Sequence, residues 1–585
     1  MKIAVIFPCI DWIKQYNRGS FSSDLVASII VSFMLIPQAL AYAILAGLPA
    51  EVGLYASILP LTVYAIFGTS KTLSVGPVAI TSLMTAAAIQ GVASQQAVDP
   101  VNAAMILALL SGFFLSLLGL LRLGFLANFL SQPVVSGFIT ASSIIIALSQ
   151  FKYILGISAS GDNLPDLIQT LVANIHQTNK ITLITGSCAL IFLFWARHYF
   201  KPLLIRFCLS EHRASLLAKT APVLIVVITS LAAYQLGLAD QGLALVGKIP
   251  QGLPALRLPV FNPALWLDLL VPAILISIIG YVSSISVGKT LGAKKRQKIN
   301  PDQELIGLGA SNIMASLAGG LPVTGGFSRS AVNLDAGAVT QAASVFTAIG
   351  VTLVTFTMTG LLAFLPKATL AATIIVAVLG LVDFSILKKS WDYSLSDFIA
   401  VALTMTITLL IGVELGVMCG VISSIALHLY KTSKPHIAEV GEIGGTEHFR
   451  NVKRHQVQTH PSILSLRIDE SLYFANASFL EDEILKNIEQ RKALKHIVLM
   501  CTAINEIDLS ALEVLKSLNH QLKKLHISFN LSEVKGPVMD TLKKTDFISQ
   551  LNGQIFLSQH MAIKTLVEQE LLASQNHPDF KDFQI

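Results

Sequence analysis

Long apolar blocks recur from Asp24 to Tyr430 and are separated by short polar loops. A membrane-spanning helix needs about 20 mainly apolar residues, so several of these blocks are short or tilted. With two interrupted segments counted as elements, the blocks form two sets of seven: Asp24–Leu45, Val52–Phe67, Pro77–Ala93, Asn102–Leu121, Phe125–Phe151, Ile181–Trp195, Thr220–Leu238, Trp266–Val287, Glu304–Gly319, a half-helix from Phe327, Ala343–Leu365, Ala368–Val382, Asp397–Val413 and Leu415–Tyr430. The pattern predicts a polytopic α-helical membrane protein.

The pattern changes after Lys431, where shorter apolar stretches alternate with amphipathic ones. We expect strands over Ser462–Ile468, His496–Ala503 and His526–Leu531, and helices over Phe479–Gln490, Leu509–Leu522 and Val538–Thr545. Alternating strands and helices predict an α/β layer domain. The expected division is an interfacial segment over residues 1–23, a membrane domain over 24–432, a linker and α/β domain over 433–573, and a flexible tail over 574–585.

Glycine and proline interrupt one apolar run at Gly319, Gly320, Pro322, Gly325 and Gly326. In hydrocarbon an irregular backbone leaves peptide groups unpaired, unless it is buried in protein or lines a wet cavity. The helix that resumes near Phe327 begins with free N–H groups at the positive end of its dipole. Ser328, Arg329 and Ser330 add hydroxyl donors and a positive charge, so this stretch predicts an anion site. The alternative is a glycine-lined kink with Arg329 snorkelling to the interface.

A second interruption, Leu73–Thr81, contains Gly76 and Pro77. Proline suits the first turn of a helix, because its φ is preset and its missing N–H needs no partner there. Two broken helices in corresponding halves of a hydrophobic chain indicate a transporter site. We therefore expect Val75–Ala79 and Gly326–Ser330 to be two half-helix N-termini that face one anion.

The composition excludes several other functions. Hydrophobic residues make up 53% of the 585 residues and charged residues 13%, about half the charged share of a soluble domain. The net charge of +6 fits basic cytoplasmic loops rather than nucleic-acid binding. The five cysteines are scattered, so we expect no metal site, no disulfide framework and no cofactor. The sequence shows neither a catalytic constellation of an enzyme nor a selectivity ring of a channel.

Lysine and arginine lie mainly in alternate loops. With the N-terminus in the cytoplasm, the loops after even-numbered spans hold most of them, for example Lys294, Lys295 and Arg296. The opposite loops hold few, among them Lys152 and Lys180. This bias predicts a single orientation, and the even number of spans returns the chain to the cytoplasm before the α/β domain.

Three motifs stand out in the membrane region. They are P-Q-A-L-A-Y-A from Pro37, F-G-T-S from Phe67 followed by S-V-G-P from Ser74, and G-G-L-P from Gly319 followed by S-R-S from Ser328. Together they resemble the sulfate permease family of anion transporters, over nearly the whole chain. The region after Lys431 resembles the STAS domain of that family.

The resemblance implies a fold of seven-plus-seven inverted repeats, in which a core domain moves against a gate domain and the anion lies between the third and tenth spans. Carried over by position, it implies substrate contacts from Gln38, Tyr42, Gly76, Pro77, Val78, Ala79, Gly326, Phe327, Ser328 and Arg329. For Gln38 and Tyr42 the alternative is packing and hydrogen bonding between helices. It also implies a homodimer in the bacterial inner (plasma) membrane, in contact with lipid, with the STAS domain cytoplasmic.

One position departs from the family pattern. Many members carry an acidic residue before a Ser-Ile-Ser-Val run in the eighth span, where proton or sodium coupling is assigned, and here Ser283 occupies it. A hydroxyl takes up no proton near neutral pH and offers no full charge to a cation. We therefore expect anion exchange, or coupling through another group.

The STAS-like region has one regulatory candidate. Asp508 and Ser510 lie where related anti-sigma-factor antagonists have a loop-to-helix motif with a phosphorylated serine. Both residue types also cap helices, and we favour capping.

The resulting interpretation is secondary active transport of a small inorganic anion, sulfate first, by alternating access. The alternatives are a bicarbonate or dicarboxylate carrier of the same fold, and a regulatory membrane protein whose STAS domain recruits cytoplasmic partners.

Overall fold

The computed structural model describes residues 7–93, 98–125, 131–161, 163–207, 210–218 and 220–575. The chain divides into two compact units, Met1–Ser424 and Ile425–Ile585. The predicted tail, residues 574–585, lies outside the described residues from 576 onwards, as do the first six residues of the predicted interfacial segment.

The first half of the first unit is helical, with a two-residue strand before its fifth helix. Its elements are α1 Cys9–Lys14, α2 Arg18–Leu45, α3 Ala50–Tyr55, α4 Leu59–Phe67, β1 Val75–Gly76, α5 Ala79–Ala93, α6 Pro100–Leu120, α7 Gln132–Ser149, α8 Phe151–Leu155, α9 Leu164–Asn174, α10 Lys180–Trp195, α11 Lys201–Arg206, α12 Glu211–Ala218 and α13 Ala221–Gln235. A 3₁₀ turn follows α9, and a π-helical turn, Ala196–Phe200, joins α10 to α11.

The second half repeats this arrangement, again with a short strand before a half-helix. Its elements are α14 Pro263–Asp268, α15 Leu270–Lys294, α16 Pro301–Leu317, β2 Thr324–Gly325, α17 Phe327–Asp335, α18 Ala342–Thr357, α19 Thr359–Leu362, α20 Lys367–Leu379, α21 Ser385–Tyr393, α22 Leu395–Leu410 and α23 Val413–Ser433. Within the described residues, seven helical stretches are long and apolar enough to cross a membrane, and five shorter apolar helices accompany them.

The boundaries of the first two spans differ from the prediction. The first begins at Arg18 rather than Asp24, because the Asn17 side chain caps it by accepting from the Ser20 amide at 2.9 Å. Asp24 is therefore buried inside the helix, where it accepts from the backbone of Thr340 at 3.1 Å. The predicted second span is two helices, α3 and α4, with a turn between them.

Small polar side chains join the helices of this unit. The Ser111 hydroxyl on α6 donates to the Ala273 carbonyl on α15 at 3.1 Å. The Ser311 hydroxyl on α16 donates to the Pro60 carbonyl on α4 at the same distance. Such bonds are typical where helices pack without a hydrophobic driving force between them.

The second unit is an α/β domain around one sheet of order β4-β3-β5-β6-β7-β8. The strands are β3 Ile437–Glu442, β4 Phe449–Asn451, β5 Ile463–Ile468, β6 His496–Met500, β7 Ser528–Ser532 and β8 Ile555–Phe556, and the helices are α24 Ala477–Gln490, α25 Leu509–Lys524, α26 Gly536–Leu542, α27 Phe547–Gln550 and α28 Gln559–Gln575. Strands β5 to β8 are parallel, and β3 is antiparallel to both β4 and β5.

All six predicted elements of this unit are present, but the prediction missed others. Strands β3 and β4 lie in the stretch expected to be a linker, and β8 and α28 were not predicted. The missed strands are short or mostly polar, so their own patterns are weak; pairing with neighbouring strands stabilises them.

Candidate functional site

The two interrupted segments lie side by side in the first unit. Val75 pairs with Gly325, and Gly76 pairs with Thr324, as an antiparallel two-residue ladder between β1 and β2. This pairing satisfies backbone groups that the broken helices would otherwise leave exposed. The two half-helices α5 and α17 therefore begin from one common junction, as the sequence predicted.

Buried polar side chains hold β2 in place. The Asn312 side chain accepts from the Val323 amide and donates to the Val323 carbonyl, both at 2.9 Å. The Ser284 hydroxyl accepts from the Gly325 amide at 2.8 Å and contacts the Thr324 hydroxyl at 2.6 Å. These residues were missed from sequence, although Thr324 lies inside the interruption and Ser284 follows the flagged Ser283.

The half-helix α17 begins at Phe327, as predicted, with Gly326 at its N-cap. The first intrahelical bond runs from the Ser330 amide to the Gly326 carbonyl. The amides of Phe327, Ser328 and Arg329 therefore have no partner within the helix. All three residues line one cavity.

Ser330 has a different role from the one expected. Its hydroxyl donates to the Gly326 carbonyl at 2.6 Å and accepts from the Ser74 amide at 2.9 Å. The first bond stays within the start of α17, and the second joins α17 to the other interruption. The hydroxyl therefore stabilises the junction and is not a free donor for an anion.

The other half-helix begins later than expected. Helix α5 starts at Ala79, and the first bond into it runs from the Ser82 amide to the Val78 carbonyl. Pro77 thus precedes the helix rather than lying in its first turn. The Pro77 carbonyl therefore takes no part in the helix and accepts a hydrogen bond from the Arg329 guanidinium instead.

A cavity of about 420 Å³ opens in front of the junction. Its lining includes eight of the ten residues predicted to contact substrate: Gln38, Tyr42, Val78, Ala79, Gly326, Phe327, Ser328 and Arg329. Gly76 and Pro77 are absent from the lining: Gly76 pairs with Thr324 in the ladder, and the Pro77 carbonyl accepts from Arg329. The opposite wall comes from the start of α7 and the end of α20, through Val135, Ser136, Val378 and Gly380.

Arg329 is buried, with 2% of its surface exposed. Its Nη1 donates to the Pro77 carbonyl at 2.9 Å and to the Gln38 Oε1 at 3.4 Å. Within the described part of the chain, its Nε and Nη2 have no hydrogen-bond partner. Of the residues that line the cavity, Arg329 is the charged one, and the described lining contains no acidic residue. A buried cation without a counter-charge is costly, so the site favours an anion.

Ser283 lines the same cavity from α15, together with Ser286 one turn further on. Sequence reasoning found Ser283 but missed Ser286, although a spacing of three residues places both on one helix face. Neither hydroxyl carries a charge near neutral pH.

The buried acids described in this unit lie away from the cavity. Glu304 accepts from the Tyr64 hydroxyl at 2.7 Å, the Thr69 amide at 2.7 Å and the Ser70 amide at 3.0 Å. These donors hold the loop that precedes β1 and fix the carboxylate as an acceptor. We interpret Glu304 as a structural residue.

The regulatory candidate lies in the second unit. Asp508 is the N-cap of α25: its Oδ1 accepts from the Ala511 amide at 2.7 Å, and its Oδ2 accepts from the Phe474 amide at 2.9 Å. Ser510 makes no cap bond of this kind and lies exposed in the first turn. Capping is therefore a property of Asp508, and phosphorylation of Ser510 stays a prediction.

Comparison with known proteins gives matches for both units. The sulfate permease family description matches residues 21–404, and the STAS domain description matches residues 454–562. The sulfate transporter 4.1, chloroplastic, of Arabidopsis thaliana is 35% identical over 97% of this chain and 83% of its own length. The high affinity sulfate transporter 2 of Stylosanthes hamata is 29% identical over 96% of this chain and 86% of its own.

Solved structures share the fold. The murine Slc26a9 anion transporter in the inward-facing state has a TM-score of 0.88 at 22% identity, over 97% of this chain and 95% of that one. The transmembrane domain of the cyanobacterial bicarbonate transporter BicA has a TM-score of 0.59 at 22% identity, over 70% of this chain and 98% of that one. At these identities the likeness describes architecture alone.

Proposed function

This chain belongs to the sulfate permease family and carries a C-terminal STAS domain, and from that premise we propose that it transports a small inorganic anion, sulfate first, by secondary active transport. The relatives described above are named as transporters, and the proposal includes no enzymatic activity. The chain is an integral membrane protein of that family.

The observation that carries the proposal is the unpaired edge of the Arg329 guanidinium beside two helix N-termini. An oxyanion in the cavity would accept from Nε and Nη2 and from the free amides at the start of α17. The full positive charge of Arg329 attracts the anion, and the amides at the start of α17, which are fixed in position, determine where its oxygen atoms bind. Gln38 and Tyr42 line the same space from α2 and complete the proposed contact set.

The proposed mechanism is alternating access. The junction of β1 and β2 binds α5 and α17 into one body, so both half-helices move together with the anion between them. The facing wall comes from α7 and α20, which in the described part of the chain contact α5 and α2 by helix packing alone. Movement of one body past the other would expose the anion to each side of the membrane in turn.

Ser283 supports exchange of anions rather than obligate proton symport, since it cannot carry a proton across. Uptake into liposomes against an imposed pH gradient tests this, and strict stoichiometric proton dependence would refute it. By resemblance we also propose a homodimer in the bacterial inner membrane, with the N-terminus and the STAS domain in the cytoplasm and with cytoplasmic protein partners for the STAS domain.

The central test is Arg329→Ala in purified protein reconstituted into vesicles. We expect kcat/KM for labelled sulfate to fall about tenfold to a hundredfold, because a hydrogen bond to a charged group contributes about 1.5–3 kcal/mol. Arg206→Ala, at an exposed arginine of α11, is the matched control and should transport normally. Unchanged uptake by correctly inserted Arg329→Ala would remove this residue from the site. A competition panel with bicarbonate and dicarboxylates then ranks the anions.

A further inference from the structure

A second cavity, of about 90 Å³, lies in the first unit along the same two helices as the first. On α2, Tyr42 lines the central cavity and Ile44 and Leu45 line the second. On α5, Ala79 lines the central cavity and Gln90 lines the second. Both helices therefore run from one cavity to the other.

A hydrophobic layer lies between the two cavities. Leu45, Ala147 and the partly buried Leu83 belong to one cluster of packed apolar side chains that also contains Tyr42 and Ala79. Because Tyr42 and Leu45 are less than one helical turn apart, the layer is thin.

The second cavity has an electropositive lining. Lys152 lies at its wall, with its ammonium group 5.2 Å from the centre of the Tyr153 ring. Within the described residues, this ammonium has no carboxylate partner, and the cavity lining contains no acidic side chain. The other polar groups are amides and hydroxyls, from Gln90, Ser149 and Gln150 among others.

Gln150 is an independent sign that the cavity takes a polar ligand. It is 1% exposed, and its Oε1 has no hydrogen-bond partner among the described residues. Its Nε2 donates to the Ser149 hydroxyl at 3.0 Å, which fixes the amide with its oxygen unsatisfied. An amide oxygen needs a donor, so a water held there would satisfy it, and the second hydrogen of that water can be donated to an anion beside Lys152.

We propose that this cavity is an anion vestibule on the outer side of the transport path, where Lys152 attracts a small oxyanion before the layer at Leu45 opens. The inference rests on the proposed function. It also rests on the loop-charge orientation, which places Lys152 outside. A structural role for Lys152 would be to stabilise the end of α8, where it occupies the last turn.

Transport measured separately from each face of the membrane distinguishes attraction of the anion by Lys152 from a structural role at the end of α8. Sulfate uptake is measured in right-side-out and inside-out vesicles that carry wild type, Lys152→Gln or Lys152→Arg. We expect the KM from the outer face to rise about threefold to tenfold in Lys152→Gln, with little change from the inner face, because a fixed charge raises local anion concentration. Lys152→Arg should restore the outer KM, and Lys180→Gln, at an exposed lysine of the same side, should match wild type. Equal effects on both faces, or none, would overturn the proposal.

A second measurement does not depend on transport. Ser160→Cys places a thiol at an exposed position of the cavity lining. We expect an anionic methanethiosulfonate to label it several times faster than a cationic one from outside, external sulfate to slow the labelling, and Lys152→Gln to abolish both effects. The labelling uses a background in which Cys9, Cys188, Cys208 and Cys419 are replaced by serine, since Cys188 is exposed and Cys9 and Cys419 are partly so. Buried Cys501 can stay, because burial raises the pKa of its thiol to about 12.

If the labelling rate depends neither on the charge of the reagent nor on Lys152, the vestibule proposal is wrong. If wild type takes up no sulfate but the charge-dependent labelling is present, the proposed sulfate transport fails while the anion vestibule stands. The two failures are therefore distinguishable.

Discussion

Glycine beside Arg329 determines where the guanidinium can lie. A Cβ added at Gly326 would meet the Arg329 Nη2 at 2.9 Å and Cζ at 3.0 Å, and one at Gly76 would meet Nη2 at 3.2 Å. Because interiors are close-packed, even one methyl group there forces a shift. The two glycines leave room for the charge at the junction of the half-helices.

Gly326→Ala should therefore disable the site without removing a charge. We expect a loss of kcat/KM of up to about a hundredfold, the cost of a misplacement of about 1 Å, because the guanidinium must move away from the added methyl group. Insertion into the membrane should be normal. Gly91→Ala on α5 is the control, since a Cβ there meets nothing within 4 Å. Normal uptake by Gly326→Ala would show that the guanidinium position does not matter.

Ser283 offers a second single-residue prediction. In Ser283→Glu, an ionised carboxylate would repel the anion from the cavity, and protonation would relieve the repulsion. Uptake should therefore rise as pH falls through roughly pH 6 to 4, where a glutamate titrates. Ser283→Gln, similar in shape but uncharged, should show no such pH dependence. If uptake by Ser283→Glu does not depend on pH, a charge at position 283 does not act on the anion.

At the scale of elements, a buried amide holds the residue that precedes β2. Asn312 on α16 satisfies both backbone groups of Val323, and the side chain is 2% exposed. This contact fixes the position of the non-helical chain between α16 and α17. Its loss would leave a buried N–H and C=O unpaired.

Asn312→Leu should destabilise the first unit by about 2–4 kcal/mol, from unsatisfied polar groups that each cost about 1–3 kcal/mol. Thermal unfolding of the purified protein in detergent measures this. Thr352→Val is the matched control, because its hydroxyl only donates to the Ala348 carbonyl of its own helix. An unfolding temperature equal to that of wild type would show that the ladder with β1 and the Ser284 hydroxyl hold the junction without Asn312.

At the scale of the whole molecule, the chain comprises two compact units, each with its own core. In the second unit, Asp508 caps the 16-residue helix α25 and also accepts from the Phe474 amide. A defect in that cap should therefore stay within the second unit.

We expect Asp508→Ala in the full chain to lower the stability of the second unit by about 1 kcal/mol, the usual value of an N-cap. Hydrogen exchange followed by mass spectrometry should show faster exchange at α25 and unchanged exchange at α5 and α17. Ser510→Ala, whose hydroxyl makes no cap bond, should leave both units as in wild type. Faster exchange throughout the first unit would show that the two units unfold together.

Sequence patterns predicted most of the helices because apolar blocks of membrane length have few other structures available to them. They also located both interruptions and Arg329, since glycine, proline and charge are rare in such blocks. Hydroxyl groups gave no comparable signal. Ser330, Ser284 and Ser283 look alike in the sequence, yet one joins the half-helices, one holds β2 and one lines the cavity.

The sequence by itself determined the alternation of spans and loops, the α/β character of the second unit and the presence of two breaks with a cation beside one of them, because each follows from local chemistry. Only the tertiary structure decided the register in which the breaks pair, the capture of the Pro77 carbonyl by Arg329 and the pairing of β3 with β4. These depend on atoms distant in the chain, and no local pattern specifies which of several equivalent donors and acceptors will meet.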